Sequence, residues 1–285
     1  MIGVTGASGQ LGQIVIGLLR ERLPSGKIVA LVRNPEAAKA LDLGAELRPF
    51  DYNDPDQIQA GLDGLETLLL ISGSDVGLRE VQHRNVILAA MTERLGRIVY
   101  TSLLHATRSP LKLAQDHVAT EMMLAESGIP VTILRNGWYA ENYIATAQSA
   151  LEAGALYGAA GAGRISAASR RDYAEAAVAV LTGAGHEGKT YELAGDGAFT
   201  LADLAATVSE LAGTPVPYRD MSEAAYAQAL RDSGLAAPWP EFLAQIDAQI
   251  AQGALFDDSG TLSSLIGHPT ATMAEVLAAS IRAAA

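Results

Sequence analysis

The strongest constraint on this chain lies at its beginning. Ile2-Gly3-Val4-Thr5-Gly6 is short, apolar and β-branched, and it stops at glycine. Leu11, Ile14, Val15, Leu18 and Leu19 follow at i, i+3, i+4, i+7 and i+8, the stripe of an amphipathic helix. Between strand and helix runs Thr5-Gly6-Ala7-Ser8-Gly9-Gln10-Leu11-Gly12, with glycines at 6, 9 and 12. Such a loop needs glycine where the chain turns, where backbone nears a ligand and where helix packs on strand. Free N–H groups at the helix start then favour an anion. This context predicts a pyrophosphate loop of a dinucleotide site at Gly6, Ala7, Ser8, Gly9, Gln10 and Leu11.

The rest of the first half repeats the strand–helix rhythm. Strands are expected at Lys27–Val32, Glu46–Phe50, Leu68–Ile71, Arg97–Thr101 and Val131–Leu134. Helices are expected at 35–43, 55–62, 77–93 and 110–127. Near-continuous apolar strands alternating with helices predict an α/β, doubly wound parallel sheet, a Rossmann fold. After 136 the rhythm breaks. Helices are expected at 140–152, 172–182, 201–212 and 272–284, with a strand at Thr190–Leu193. Residues 220–255 read as helix interrupted at Pro238 and Pro240, and 154–163 as irregular. Gly267-His268-Pro269 reads as a helix stop. The expected division is a nucleotide-binding domain over 1–136 and a smaller, mostly helical substrate cap over 137–285, with some elements returning to the main domain.

Composition narrows the classes. With 285 residues the chain can bury a large core without staples. Lys+Arg 20 against Asp+Glu 32 gives −12, which argues against nucleic acid and anionic membrane surfaces. The absence of cysteine excludes disulfides, thiolate-ligated metals and a thiolate nucleophile. The five histidines show no metal-type spacing. No apolar run approaches a membrane span, and a strand beginning at Ile2 leaves no room for a signal peptide. A cytoplasmic globular protein is expected. A homo-oligomer is compatible with the sequence but not derivable from it.

The ends of the later strands carry the remaining candidates. Strand two ends at Val32-Arg33-Asn34-Pro35. An NAD site wants a carboxylate there for the ribose 2′-hydroxyl. Arg33 suits a 2′-phosphate instead, which predicts NADP(H), with Lys39 adding charge. Asp51 and Tyr52 stand where adenine borders such sheets, and a plain turn before Pro55 is the equal alternative. Ser72-Gly73-Ser74 and Thr101-Ser102 end the next two strands, where small residues permit close approach. Asn136-Gly137-Trp138-Tyr139 and Asn142 follow the sixth strand; Asn136, Gly137, Trp138 and Asn142 are cofactor candidates.

Several segments together carry a family resemblance. They are Val4–Gly12, Val32–Pro35, Gln82-His83-Arg84-Asn85-Val86, Tyr100-Thr101-Ser102-Leu103-Leu104-His105 and Leu134-Arg135-Asn136-Gly137-Trp138-Tyr139. Gly185-His186-Glu187-Gly188-Lys189 and Leu265-Ile266-Gly267-His268-Pro269-Thr270 belong with them. The chain resembles, over nearly its whole length, the atypical NmrA-like branch of the short-chain dehydrogenase/reductases, and within it the bacterial NADPH-dependent quinone reductases. Triphenylmethane dye reductases look more distant. The resemblance implies NADPH in the Rossmann cleft and flavin-free hydride transfer to quinones.

One family feature is missing. Ordinary members carry Tyr-x-x-x-Lys, where lysine helps tyrosine protonate a carbonyl oxygen. None of the nine tyrosines has lysine four residues on, and the expected helix holds His117-Val118-Ala119-Thr120-Glu121 instead. Two readings compete: a cofactor-sensing regulator without turnover, or an enzyme whose acceptor needs no strong acid. A quinone is such an acceptor, because its reduced anion is aromatic and delocalised. An azo or triphenylmethane dye is the alternative within the same chemistry. His117 and Ser102 are the catalytic candidates, each with a structural alternative in a satisfied helix histidine and a strand-end cap. His105, Trp138 and Tyr139 are the substrate-side candidates, the two rings suiting a flat acceptor. Core and loop roles stand open for all three.

Overall fold

The computed structural model describes residues 1–75 and 77–284. In chain order, β1 (Ile2–Val4), α1 (Gln10–Arg22), β2 (Ile28–Val32), α2 (Pro35–Ala38) and β3 (Glu46–Pro49) come first. Then follow α3 (Pro55–Leu62), β4 (Thr67–Leu70), α4 (Arg79–Thr92), β5 (Arg97–Leu103), α5 (Ala114–Glu126) and β6 (Val131–Asn136). The second half holds α6 (Asn142–Ala153), β7 (Leu156–Gly158), α7 (Arg170–Thr182), β8 (Thr190–Leu193) and α8 (Leu201–Ala212). It closes with β9 (Tyr218–Asp220), α9 (Glu223–Asp232), α10 (Trp239–Ile250), α11 (Thr261–Ile266) and α12 (Met273–Ala284). No helix among the described residues is long and apolar enough to cross a membrane.

The chain divides into two compact units. The first comprises Met1–Arg108, Lys112–Asn136 and Arg170–Leu193. Its sheet has seven parallel strands in the order β3-β2-β1-β4-β5-β6-β8. Every residue of β2 and of β5 is buried; β2 reads as an unbroken apolar run, whereas β5 also buries Arg97, Thr101 and Ser102. One sheet face packs on α3, α4 and α5 through Val29, Leu31, Ile58, Leu68, Leu70, Val86, Ile98 and Tyr100. Cutting such a leucine to alanine costs about 2–5 kcal/mol. The other face carries α1 and α7, which pack on each other. The chain leaves β1 for β2 on one side and returns as β4 on the other. In open α/β sheets ligands bind at such a reversal of strand order.

The second unit comprises Ser109–Leu111, Gly137–Ser169 and Ala194–Ala285. It is mostly helical, around a parallel pair of strands, β7 and β9. The opening of α8 is fixed by a reciprocal Thr200–Asp203 capping box, and α11 stops at Gly267 with φ 84°.

Three local expectations are corrected. Residues 154–163 are not wholly irregular, since Leu156-Tyr157-Gly158 pairs with Tyr218-Arg219-Asp220. Three residues carry too little periodicity to announce a strand, and the partner is remote in sequence. The helix expected over 35–43 is one turn of α-helix followed by a 3₁₀ turn at Lys39–Leu41, ended by Asp42 at φ 43°. Pro240 does not interrupt a helix: it lies in the first turn of α10, where its missing N–H has no partner to lose.

Candidate active site

The loop after β1 is built around three close approaches. Gly6 turns the chain at φ +57°, and the Gly9 N–H returns to the Gly6 carbonyl at 2.9 Å. A Cβ on Gly12 would stand 2.3 Å from the Gly6 oxygen and 2.7 Å from the Ala7 Cα, so α1 packs on the loop with no room for a side chain. Gln13 braces the loop by donating to the Ser8 carbonyl at 2.7 Å. Gly9 caps α1 without a side-chain hydrogen bond, and the first turn carries no acidic residue. By contrast, Asp54, Thr200 and Ser222 cap α3, α8 and α9 with side-chain oxygens. Gly6, Ser8, Gly9 and Gln10 are exposed, whereas Ala7 and Leu11 are buried. The start of α1 therefore offers bare backbone donors beside the point where strand order reverses.

Arg33, just past β2, is exposed and makes no hydrogen bond or ion pair among the described residues, its charge acting on Tyr52. Lys39 does not share this freedom, because Glu36 pairs with it at 2.6 Å. Asp51 makes a turn of its own, its Oδ1 accepting from the Asn53 N–H at 2.9 Å. The Tyr52 hydroxyl is 2.7 Å from Thr5 Oγ1 and 2.8 Å from the Ile71 carbonyl. Burial pushes this phenol well above the ordinary tyrosine range. Tyr52 thus ties the loop after β1 to the loop after β4, and its ring packs against the core.

The segment Ser72-Gly73-Ser74 is gripped from α4. The Gly73 N–H donates to His83 Nε2 at 3.1 Å, and the Gly73 carbonyl accepts from Arg79 Nε at 2.8 Å. His83 Nδ1 lies 2.9 Å from Thr120 Oγ1, which donates to the Asp116 carbonyl. The Ser72 N–H donates to Thr101 Oγ1 at 2.9 Å.

At the end of β5, alternation matches a helical repeat. Tyr100 and Ser102 project to one face, two residues apart; His117 and Glu121 project from α5, four apart. Tyr100 Oη meets His117 Nδ1 at 2.8 Å, and Ser102 Oγ donates to Glu121 Oε1 at 2.5 Å. His117 is 4% exposed, and burial holds its pKa down to about 3. Glu121 also takes Arg135 in a two-bond fork at 2.9 and 2.6 Å. Arg135 continues to Glu192 at 2.9 Å, and the other Glu192 oxygen accepts the His105 N–H at 2.7 Å. That chain of charges fixes His105 in the left-handed region, φ 55°. Asn136, at the end of β6, is 5% exposed, and its Oδ1 has no hydrogen-bond partner among the described residues.

The structure thus brings the glycine loop, Tyr52, Ser72–Ser74 and Thr101 into one bonded group, and Ser102, His105, Glu121, Arg135 and Glu192 into another. In the second unit Gly137 is buried, Trp138 and Tyr139 are half-buried and Asn142 is exposed. Tyr139 bridges to Ala168, and the Asn142 N–H donates to the Tyr139 carbonyl. Sequence reasoning gave no role to Arg79, Gln82, His83, Arg135 or Glu192. One signal was present for the first three. The core stripe of α4, Val86-Ile87-Ala90, runs back onto Arg79, Gln82 and His83, all buried, so polar residues occupy an apolar stripe.

Comparison with known proteins bears on these features. A family model described as NAD(P)H-binding matches residues 6–184. Quinone oxidoreductase 2 of Escherichia coli K12 is 54% identical over 276 residues, 96% of each chain. The crystal structure of the E. coli NADPH-dependent quinone oxidoreductase complexed with NADPH superimposes with a TM-score of 0.96 at 53% identity, covering 99% of this chain and 100% of that one. Triphenylmethane reductase of a Citrobacter species, complexed with NADP(H), gives a TM-score of 0.94 at 36% identity, covering 98% and 100%.

Proposed function

The chain belongs to the NAD(P)H-binding family, among its NmrA-like members, and from that premise we propose that it reduces quinones with NADPH by direct hydride transfer, without flavin or metal. The observation that carries the cofactor reading is the uncapped, non-acidic start of α1 on its glycine cradle, with Arg33, exposed and in no ion pair among the described residues, at the end of the neighbouring β2. The acceptor class rests on the 54% identical E. coli quinone oxidoreductase.

The residues fit the cofactor in three places. The backbone N–H groups of Ser8, Gln10 and Leu11 suit a pyrophosphate, that of Gly9 being bonded to the Gly6 carbonyl. The Arg33 guanidinium suits a 2′-phosphate. Asn136 Oδ1, a buried acceptor without a partner among the described residues, suits a carboxamide or ribose donor. When bound, NADPH supplies the hydride. The first unit would hold it, and Trp138 and Tyr139, half-buried rings of the second unit, are retained as substrate-side residues for a flat molecule. His105, held by the Glu192 contact to its own N–H, is retained as a substrate-side residue.

No side chain is assigned the part of proton donor. Ser102 spends its hydroxyl hydrogen on Glu121, and His117 is engaged by Tyr100. Glu121, standing where ordinary members have lysine, accepts from two neighbours and donates to none. A reduced quinone is a delocalised anion that water protonates after hydride arrives, so orientation of the reactants supplies the rate. The cysteine-free chain suits the cytoplasm.

Oxidation of NADPH and of NADH by the purified protein, with a panel of small quinones and no added flavin, tests this. Quinone-dependent turnover that prefers NADPH is expected. Saturable NADPH binding without turnover on quinones, azo dyes or triphenylmethane dyes would replace the enzyme by a cofactor-sensing regulator. Turnover on dyes alone would replace the acceptor.

A further inference from the structure

We propose that His83, kept with its proton on Nδ1 by Thr120, acts with Arg79 as a positioning pair that sets the Gly73 peptide and thereby the Ser72–Ser74 surface offered to the dinucleotide. The inference rests on the cofactor reading above. Its evidence is the bonding of a single peptide group from both ends. The Gly73 N–H enters His83 Nε2 at 3.1 Å, and the Gly73 carbonyl receives Arg79 Nε at 2.8 Å. Both donor and acceptor of this residue are therefore turned inward.

The hydrogen bonds assign the tautomer. Nε2 accepts from a backbone N–H, so it carries no proton. Nδ1 then carries it and donates to Thr120 Oγ1 at 2.9 Å, whose own hydrogen goes to the Asp116 carbonyl at 2.9 Å. Arg79 Nη1 reaches Asp116 Oδ2 at 3.3 Å, so one turn of α5 orients both members of the pair. The imidazole is 0% exposed and stands edge-on between Tyr52, at 6.0 Å and 89°, and Tyr100, at 5.5 Å and 79°. It cannot tilt away without disturbing Tyr52, which holds Thr5 of the glycine loop.

The residue type follows from the ligand's charge. A peptide N–H at this sheet edge needs an acceptor. A carboxylate would accept well but would set a negative charge beside an anionic dinucleotide. A neutral imidazole accepts without charge. With Gly73 turned inward, what faces outward is serine: neither Ser72 Oγ nor Ser74 Oγ has a partner among the described residues. A Cβ at Gly73 would stand 3.0 Å from Gln82 Oε1 and 3.6 Å from Tyr52, so a side chain there would press on the Gln82 amide.

The test separates cofactor from acceptor, in the full-length protein. NADPH affinity is measured by titrating bound-nucleotide fluorescence, and steady-state KM is measured for NADPH and for a simple benzoquinone. His83→Ala is expected to raise the NADPH Kd and KM about tenfold, the effect of losing one buried hydrogen bond, with the quinone KM within about twofold. His83→Gln, whose amide oxygen can accept the Gly73 N–H, is expected to recover most of the loss. Nitrogen NMR of the wild type is expected to show a protonated Nδ1 and a bare Nε2. Should His83→Ala not fold, Thr120→Val keeps the ring and removes the partner of Nδ1, and a several-fold weaker NADPH Kd is expected. A proton on Nε2, or a folded His83→Ala protein with unchanged NADPH affinity, overturns the positioning role alone. A wild type that binds no NADPH overturns the cofactor reading and the positioning role with it, whatever the tautomer.

Discussion

Arg33 stands exposed past the end of β2, in no ion pair among the described residues, and the two nicotinamide dinucleotides differ at that point by one phosphate. Arg33→Ala is therefore expected to raise the NADPH KM by about ten- to a hundred-fold, the loss of charge-assisted hydrogen bonds, while the NADH KM moves less than about twofold. Equal losses with both would remove the phosphate from Arg33. His117 argues the other way. It is buried against the Tyr100 hydroxyl, 2.8 Å away, so His117→Ala leaves a cavity and a phenol short of one hydrogen-bond partner rather than a missing acid. A loss of about 2–4 kcal/mol in stability is expected from those two causes, with most quinone turnover kept in the protein that remains folded. Complete loss of turnover with an unchanged melting temperature would make the histidine the proton donor after all.

At the scale of elements, α1 tests its own packing with two glycines. Gly12→Ala forces a Cβ to within 2.3 Å of the Gly6 oxygen, so the loop must move, and NADPH affinity is expected to fall more than about tenfold along with stability. Gly17→Ala meets nothing within 4 Å and is expected to raise stability by about 1 kcal/mol through helix propensity, leaving NADPH affinity alone. Thermal melts and NADPH titration of both variants check the opposite signs. The sheet was legible chiefly through β2 and β4, which are near-continuous apolar runs, and the glycine loop because its spacing sits between one strand and one helix. The networks were not. That Ser102 meets Glu121 and Tyr100 meets His117 depends on the register of β5 against α5, which no spacing within either segment reveals. His117 and Glu121 could be noted as standing where tyrosine and lysine do in relatives, but not that they face the core and an arginine. The β7–β9 pair escaped notice because each strand is three residues long and its partner remote.

The whole molecule sums its protons, and here two groups of opposite sign meet. His83 and His117 are both buried, which lowers each to about 3. In the unfolded chain both titrate near 6.5. As pH falls from 6.5 the unfolded state takes up a proton at each while the folded state takes none. The stability they contribute is complete above 6.5 and is lost on descent toward 3. Each adds a slope of about 1.4 kcal/mol per pH unit. In the second unit Asp247, on α10, receives the Ala159 N–H at 2.9 Å. Burial first, and then the charge of Asp220, raise its carboxyl to about 6. Here the folded state binds the extra proton, so stability from this group is present below 3.8 and is lost as pH rises through about 6. Between pH 4.5 and 6 the aspartate therefore offsets one of the two histidines. Urea unfolding across pH 4.5 to 8 should separate them. Asp247→Asn keeps an oxygen for the Ala159 N–H and removes the buried charge, so it is expected to raise stability at pH 8 and to steepen the acid limb by about one proton. His83→Gln is expected to flatten that limb by the same amount. An acid limb that neither substitution changes would mean that Asp247 and His83 titrate at their ordinary values in the folded protein, contrary to their burial.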